Sequence, residues 1–268
     1  MPIIVSELVA YPIKSLRGVS LESALVEKLG LRHDRRWMLV DGEGMFLTQR
    51  RLHRMALFNV RITAAGLEIV VEGKEPIEVP FEPLGGSRTV QVWQSVCEAT
   101  RVSSEADEWF SDALGLECSL VYMPDTTRRE VAIAEASEGD LIGFADSNPI
   151  LIAGAASIND LNARLAEPIP IRRFRPNIVV TGAEPYEEDG WSRVEVGGVR
   201  LRKTMRCARC AVPTIDIETA VPADEPLRTL NAYRKVDGKV WFGCFYAPDS
   251  LGRISVGDEA RVVPSQGQ

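Results

Sequence analysis

The 268-residue sequence is poor in metal-binding and disulfide-forming side chains: it has two histidines, His33 and His53, and five scattered cysteines. A tetrahedral zinc site takes four N or S ligands when structural and three when catalytic. The one close cysteine pair, Cys207 and Cys210, has no second pair to join it, and both histidines are far off in sequence. An odd number of cysteines in a chain of this size makes no disulfide framework and points to a reducing compartment, the cytoplasm. Long apolar runs are missing too: none approaches the ~20 residues of a membrane span. The opening Met1-Pro2-Ile3-Ile4-Val5-Ser6 lacks a basic segment, so no secretory signal is expected. Positive charge is also short, 31 Lys and Arg against 38 Asp and Glu, and the net charge of −7 disfavours nucleic acid as a partner.

What is present is a balanced globular composition, 45% hydrophobic and 26% charged, in a chain long enough for two domains. Up to about residue 100 the pattern is one of short strands: Ile3 to Ala10, Ala24 to Val26, Trp37 to Leu39, Leu57 to Val60, Leu67 to Val70 and Val90 to Val92. Turn signals such as Asp41-Gly42-Glu43-Gly44 separate them, as in a barrel or sandwich. A helix is predicted from Ser104, as N-cap, to Leu114, ended by Gly115. The polar stretch from Pro124 to Asp140 marks a domain boundary, giving domains 1–123 and 124–268. Beyond it come an apolar strand at Ile150-Leu151-Ile152, a helix opening at Ser157, and a strand at Ile178-Val179-Val180. The run Val194, Val196, Val199, Leu201 reads as strand, Glu225-Pro226 starts a short helix, and β-type stretches run from Val240 to Tyr246 and from Arg253 to Val263.

The arginines are bunched: Arg32, Arg35, Arg36; Arg50, Arg51, Arg54; Arg172, Arg173, Arg175; Arg200, Arg202, Arg206, Arg209. In an acidic chain such clusters suggest local sites for a phosphate or carboxylate, set against plain surface ion pairing. Cys207 and Cys210 lie among them. A thiolate beside a guanidinium suits a soft or redox-active metal, and two buried structural cysteines are the simpler alternative. Pro213 and the Thr214-Ile215-Asp216-Ile217 alternation predict a loop and then a strand, which argues against a thioredoxin-like dithiol at a helix start.

Taken in order, YPIKSLRG (11–18), LRHDRRWMLVD (31–41), FLTQR (46–50), FADSNPILI (144–152), DLNARL (160–165), FRPNIVVTG (174–182), RCARC with TID (206–216) and EPL with YR (225–234) form one pattern. The sequence resembles the MOSC-domain proteins that carry an N-terminal β-barrel domain, the family of the mitochondrial amidoxime-reducing component and its bacterial relatives. The resemblance implies a mostly β (α+β) fold, a β-barrel-like N-terminal domain followed by a MOSC β-barrel with a few peripheral helices. It implies the molybdenum cofactor as ligand, with Cys210 as the metal ligand and Lys14, Ser15, Arg35, Ala145, Asp146, Arg175, Asn177, Ala208 and Arg209 around the cofactor. Asp146 is expected to pass protons in catalysis.

The implied activity is reduction of N-hydroxylated substrates, independent of pyridoxal phosphate. Electrons would come from a separate ferredoxin-, flavodoxin- or cytochrome-type donor, since the chain carries no further cysteine cluster for iron–sulfur ligation. The rival readings are a sulfur carrier using a Cys210 persulfide and a non-enzymatic cofactor carrier. Three positions depart from the family pattern: Ala208 where serine is common, Arg36 where an aromatic is common, and Cys244, expected as a buried thiol.

Overall fold

The computed structural model describes residues 1–132 and 136–263. Parts of two sequence-based expectations, the connection from Pro124 to Asp140 and the end of the domain 124–268, lie outside the described residues.

Alternating β-branched residues build the largest sheet, because they pack well on a pleated, half-buried surface. Its strands run in the order Ala260–Val263, Arg193–Val196, Val199–Ala208, Lys239–Pro248, Ile150–Gly154, Ile178–Thr181, Ile4–Ala10, Val19–Leu21. Neighbours are antiparallel except Ile150–Gly154 and Ile178–Thr181, which are parallel. The sheet closes into a barrel where its first strand meets Ile4–Ala10, next to its last: the Val5 amide bonds the Asp258 carbonyl at 2.9 Å and the Ala260 amide bonds the Ile3 carbonyl at 2.8 Å. Val5, Leu8, Ile150, Ile152, Val180, Val194, Leu201 and Ile254 fill it.

A second core, built around Trp37, Leu39, Phe58, Leu67, Ile69 and Phe110, belongs to the N-terminal β domain. The two halves are interlaced, since Ile4–Ala10 pairs with Ile178–Thr181 and Ser23–Glu27 pairs with Gly252–Ser255. Segments from both halves can therefore reach one place.

The helix Ser104–Leu114 forms as expected, with Gly115 at φ 72 closing it. Its N-cap is Ser103, not Ser104: Ser103 is extended, and its hydroxyl accepts the Ala106 amide at 3.1 Å. The second helix spans Ala155–Asn162, starting before Ser157. Ser157 is buried inside it and donates to Glu188 at 2.9 Å. The run from Val194 to Leu201 is a hairpin and not one strand, because Gly197 and Gly198 take positive φ of 54° and 82°. Leu57 closes a 3-10 turn, His53–Leu57, ahead of the strand Asn59–Ile62. The strand expected after Pro213 is replaced by a 3-10 turn, Val212–Thr214, and one isolated bridge from Ile215 to Pro222. Asp216 draws that segment into a turn by accepting the Glu218 and Thr219 amides, both at 2.9 Å.

Candidate functional site

Loops from both halves converge on one cleft, whose lining includes Lys14, Ser15, Arg35, Ala145, Asp146, Arg175, Asn177, Ala208, Arg209 and Cys210. Those are the ten residues named as site from the sequence. Gln49, Arg50, Asn148, Phe174 and Cys207 line it as well and were not among them. Each arginine cluster sends one member inward: Arg35, Arg50, Arg175 and Arg209. Others pair elsewhere, as Arg32 does with Glu27 and Arg202 with Asp140. With Lys14, the lining holds five cations against one carboxylate, Asp146, in a protein whose overall charge is negative.

Strained backbone marks the same place. Ser15, Arg35 and Arg175 have φ of 71°, 48° and 58°, in the left-handed region that non-glycine residues adopt only where surrounding contacts enforce it. The Arg35 amide bonds the Tyr11 carbonyl at 2.9 Å, and the Phe144 amide bonds the Arg35 carbonyl at 2.6 Å. Gly143 permits that approach, since a Cβ there would lie 2.7 Å from the Arg35 oxygen. Buried Arg129 donates to the carbonyls of Gly143 at 2.6 Å and Ala145 at 2.7 Å, and Lys14 Nζ donates to that of Phe144 at 2.7 Å. The loop carrying Asp146 is thus held from both sides.

Asp146 is the hub. It pairs with Lys14 and, at 2.5 Å, with Arg50. Burial alone would raise its pKa, but Lys14 and Arg50 outweigh it and hold the carboxyl well below its ordinary range. Burial lowers Lys14 to about 8, against the pull of Asp146. Arg50 also donates from Nε to Cys210 Sγ at 3.3 Å. Burial works against the Arg50 charge, yet Asp146 and Cys210 leave its pKa above the ordinary value.

Cys210 is half-buried, just past the strand Val199–Ala208 that ends beside Cys207. Cys207 accepts from Arg209 at 2.7 Å, and its thiol pKa is raised by burial, with Arg209 opposing. Arg175 stacks over Tyr11 at 4.2 Å and donates to the Leu16 carbonyl at 2.7 Å. Burial, and then repulsion from Arg35, lower it to about 10. It has no salt bridge among the described residues, whereas Arg35 is paired with Asp34 at 2.6 Å. Asn177 is committed internally: it donates to Val9 at 3.1 Å and Asp34 at 2.9 Å, and accepts from Leu151 at 3.1 Å.

Of the family departures, Ala208 lines the cleft, while Arg36 turns away to the Met123 carbonyl at 3.0 Å and Asp125 at 2.7 Å. Cys244 is buried, as expected, with its pKa raised first by burial and then by Asp189.

The lining, rich in guanidinium groups, suits an anionic ligand. Arg209 Nε and Asn148 Nδ2 are buried without a partner, which native proteins rarely leave unexplained. Arg175 is partly buried and donates to neutral acceptors, the Leu16 carbonyl and Gln49. Among the described residues no three His, Cys, Asp or Glu side chains form a ligand set.

The MOSC N-terminal beta barrel domain matches residues 3–117 and the MOSC domain matches residues 140–261. Mitochondrial amidoxime reducing component 2 of Bos taurus is 31% identical over 95% of this chain and 81% of its own. Mitochondrial amidoxime-reducing component 1 of Mus musculus is 32% identical over 95% and 80%, and that of Homo sapiens 31% over 95% and 81%. With both domains matched in order over one fold, the chain belongs to the MOSC-domain family that carries an N-terminal MOSC β-barrel domain, the family of the mitochondrial amidoxime-reducing components.

Proposed function

We propose that the chain is a molybdenum-cofactor-dependent oxidoreductase that reduces N-hydroxylated compounds such as amidoximes, using electrons from a separate donor protein. The observation that carries this reading is Cys210, a half-buried thiol in a cationic cleft with Arg50 donating to its sulfur. Cys210 would ligate the metal. Arg35, Arg175 and Arg209 would meet the cofactor's phosphate and polar pterin edge, with Lys14, Ser15, Ala145 and Ala208 beside them. Asn177 would act from behind by fixing Arg35, which donates to it at 3.1 Å.

When bound, the cofactor supplies a redox-active molybdenum held by dithiolene sulfurs, with two electrons at a time. In the reaction the N–O bond breaks, and two electrons and two protons turn the N–OH compound into the N–H product and water. The chain's part is protonic. Lys14 Nζ, which burial brings to about 8, would hold a proton beside the Asp146 carboxylate it bonds. Asp146, held by Lys14 and Arg50, would take the proton-passing role expected of it. The donor is of ferredoxin, flavodoxin or cytochrome type, and the setting a reducing cytoplasm.

The test is turnover of an amidoxime by cofactor-loaded protein with a reduced artificial electron donor. Amidine formation supports the reading, and loaded protein that yields none contradicts it. A second reading, sulfur carriage, draws on Cys207, which shares the cleft with Cys210 and has its own arginine. A persulfide found by mass spectrometry on protein free of molybdenum would favour it.

A further inference from the structure

Trp93 is the sole Phe, Trp or Tyr with an exposed side chain among the described residues, at 42%. It heads the turn between Ser87–Val92 and Ser95–Arg101, with φ at 56°. Glycine and asparagine suit such a position, and a bulky aromatic there is strained. Burial does not repay the strain. Three contacts hold the ring instead. Its Nε1 donates to Asp146 Oδ1 at 3.2 Å, the Arg50 guanidinium lies 5.3 Å from the ring centroid, and Phe46 meets it edge-on at 5.0 Å. Two of these partners, Asp146 and Arg50, line the cleft. The indole therefore stands at the cleft's mouth, fixed in orientation and open to solvent.

We propose that Trp93 is a specificity-determining platform on which the flat, conjugated part of a substrate stacks while its N-hydroxylated group enters the cleft. The proposal rests on the reductase reading above. An indole face offers a large, rigid, sequence-independent surface for a conjugated ring, and little to a short alkyl group. Because Arg50 and Asp146 hold the indole, the stacked ring is placed relative to the groups next to Cys210. Aryl amidoximes and N-hydroxylated heteroaromatic bases are then preferred over aliphatic amidoximes.

Benzamidoxime and acetamidoxime share the reacting group and differ in the ring, so their kcat/KM ratio on the loaded enzyme isolates the platform. In Trp93→Gly the ratio should fall about tenfold, and in Trp93→Phe most of it should survive. Glycine takes the left-handed backbone freely, which offsets part of the loss of the three ring contacts, and a cooperative melt close to that of wild type shows that Trp93→Gly is folded. Calorimetric titration with each amidoxime gives a readout free of turnover: benzamidoxime should bind more tightly to wild type, and Trp93→Gly should lose that preference. An unchanged ratio in Trp93→Gly overturns the proposal. Should the wild type reduce neither compound, the reductase reading falls, and calorimetry alone decides the platform: a benzamidoxime preference lost in Trp93→Gly upholds it, and no preference overturns it.

Discussion

Arg50 Nε lies 3.3 Å from Cys210 Sγ across 160 residues of sequence, and the same guanidinium reaches Asp146 at 2.5 Å. One side chain from the N-terminal domain thereby joins the thiol to the carboxylate hub of the MOSC domain. A fork of fixed donors can bridge two acceptors in this way, and a lysine ammonium on a flexible stem does not reproduce it.

Arg50→Met should lower cofactor retention or turnover about 10- to 100-fold, the usual cost of losing a partner of a metal ligand. Arg50→Lys should recover little. Metal content after gel filtration, with turnover per bound molybdenum beside it, checks both.

The pH dependence follows from Lys14. Its charge is lost as pH rises through about 8, while the unfolded chain keeps that proton up to 10.5. Between those values the unfolded state binds more protons, so the unliganded protein gains stability as pH rises. Anion binding in the cleft moves the other way and weakens above about 8. Lys14→Arg, charged throughout, should flatten the binding profile, as titrations of inorganic phosphate or cofactor across this range would show.

Arg175 tests whether the cleft holds charge for a ligand at the expense of the fold. Arg175→Met keeps an unbranched apolar stem but removes a partly buried guanidinium that stacks on Tyr11 and is repelled by Arg35. Unliganded stability should stay within about 1 kcal/mol of wild type or rise, while cofactor retention collapses. Thermal melts and bound-pterin content measure the two effects separately.

Gly143→Ala should push the Asp146 loop off Arg35, since the new methyl would lie 2.7 Å from a backbone oxygen. A loss of about 1–3 kcal/mol in stability is expected, read from denaturant unfolding, together with weaker cofactor retention.

Strand positions and the first helix are legible in the sequence because their apolar spacing is unambiguous. The Val194 to Leu201 run misleads: its spacing of three between Val196 and Val199 hides a two-glycine turn. The strand expected after Pro213 fails because Asp216 can satisfy backbone amides itself. The cleft is legible through ordered motifs, which bring ten named residues to one lining. Arg50 is not, because nothing in the run from Arg50 to Arg54 says which guanidinium turns inward. Trp93 is hidden likewise, since its meaning lies in a backbone angle and in a carboxylate 53 residues away.

The most direct measurement is molybdenum content per chain in wild type purified from a host that makes the cofactor, beside Cys210→Ala. Wild type should carry near-stoichiometric molybdenum and the variant should lose it, with folding intact by circular dichroism. A well-folded wild type without molybdenum, or one carrying stoichiometric zinc, would contradict the molybdenum-cofactor reading.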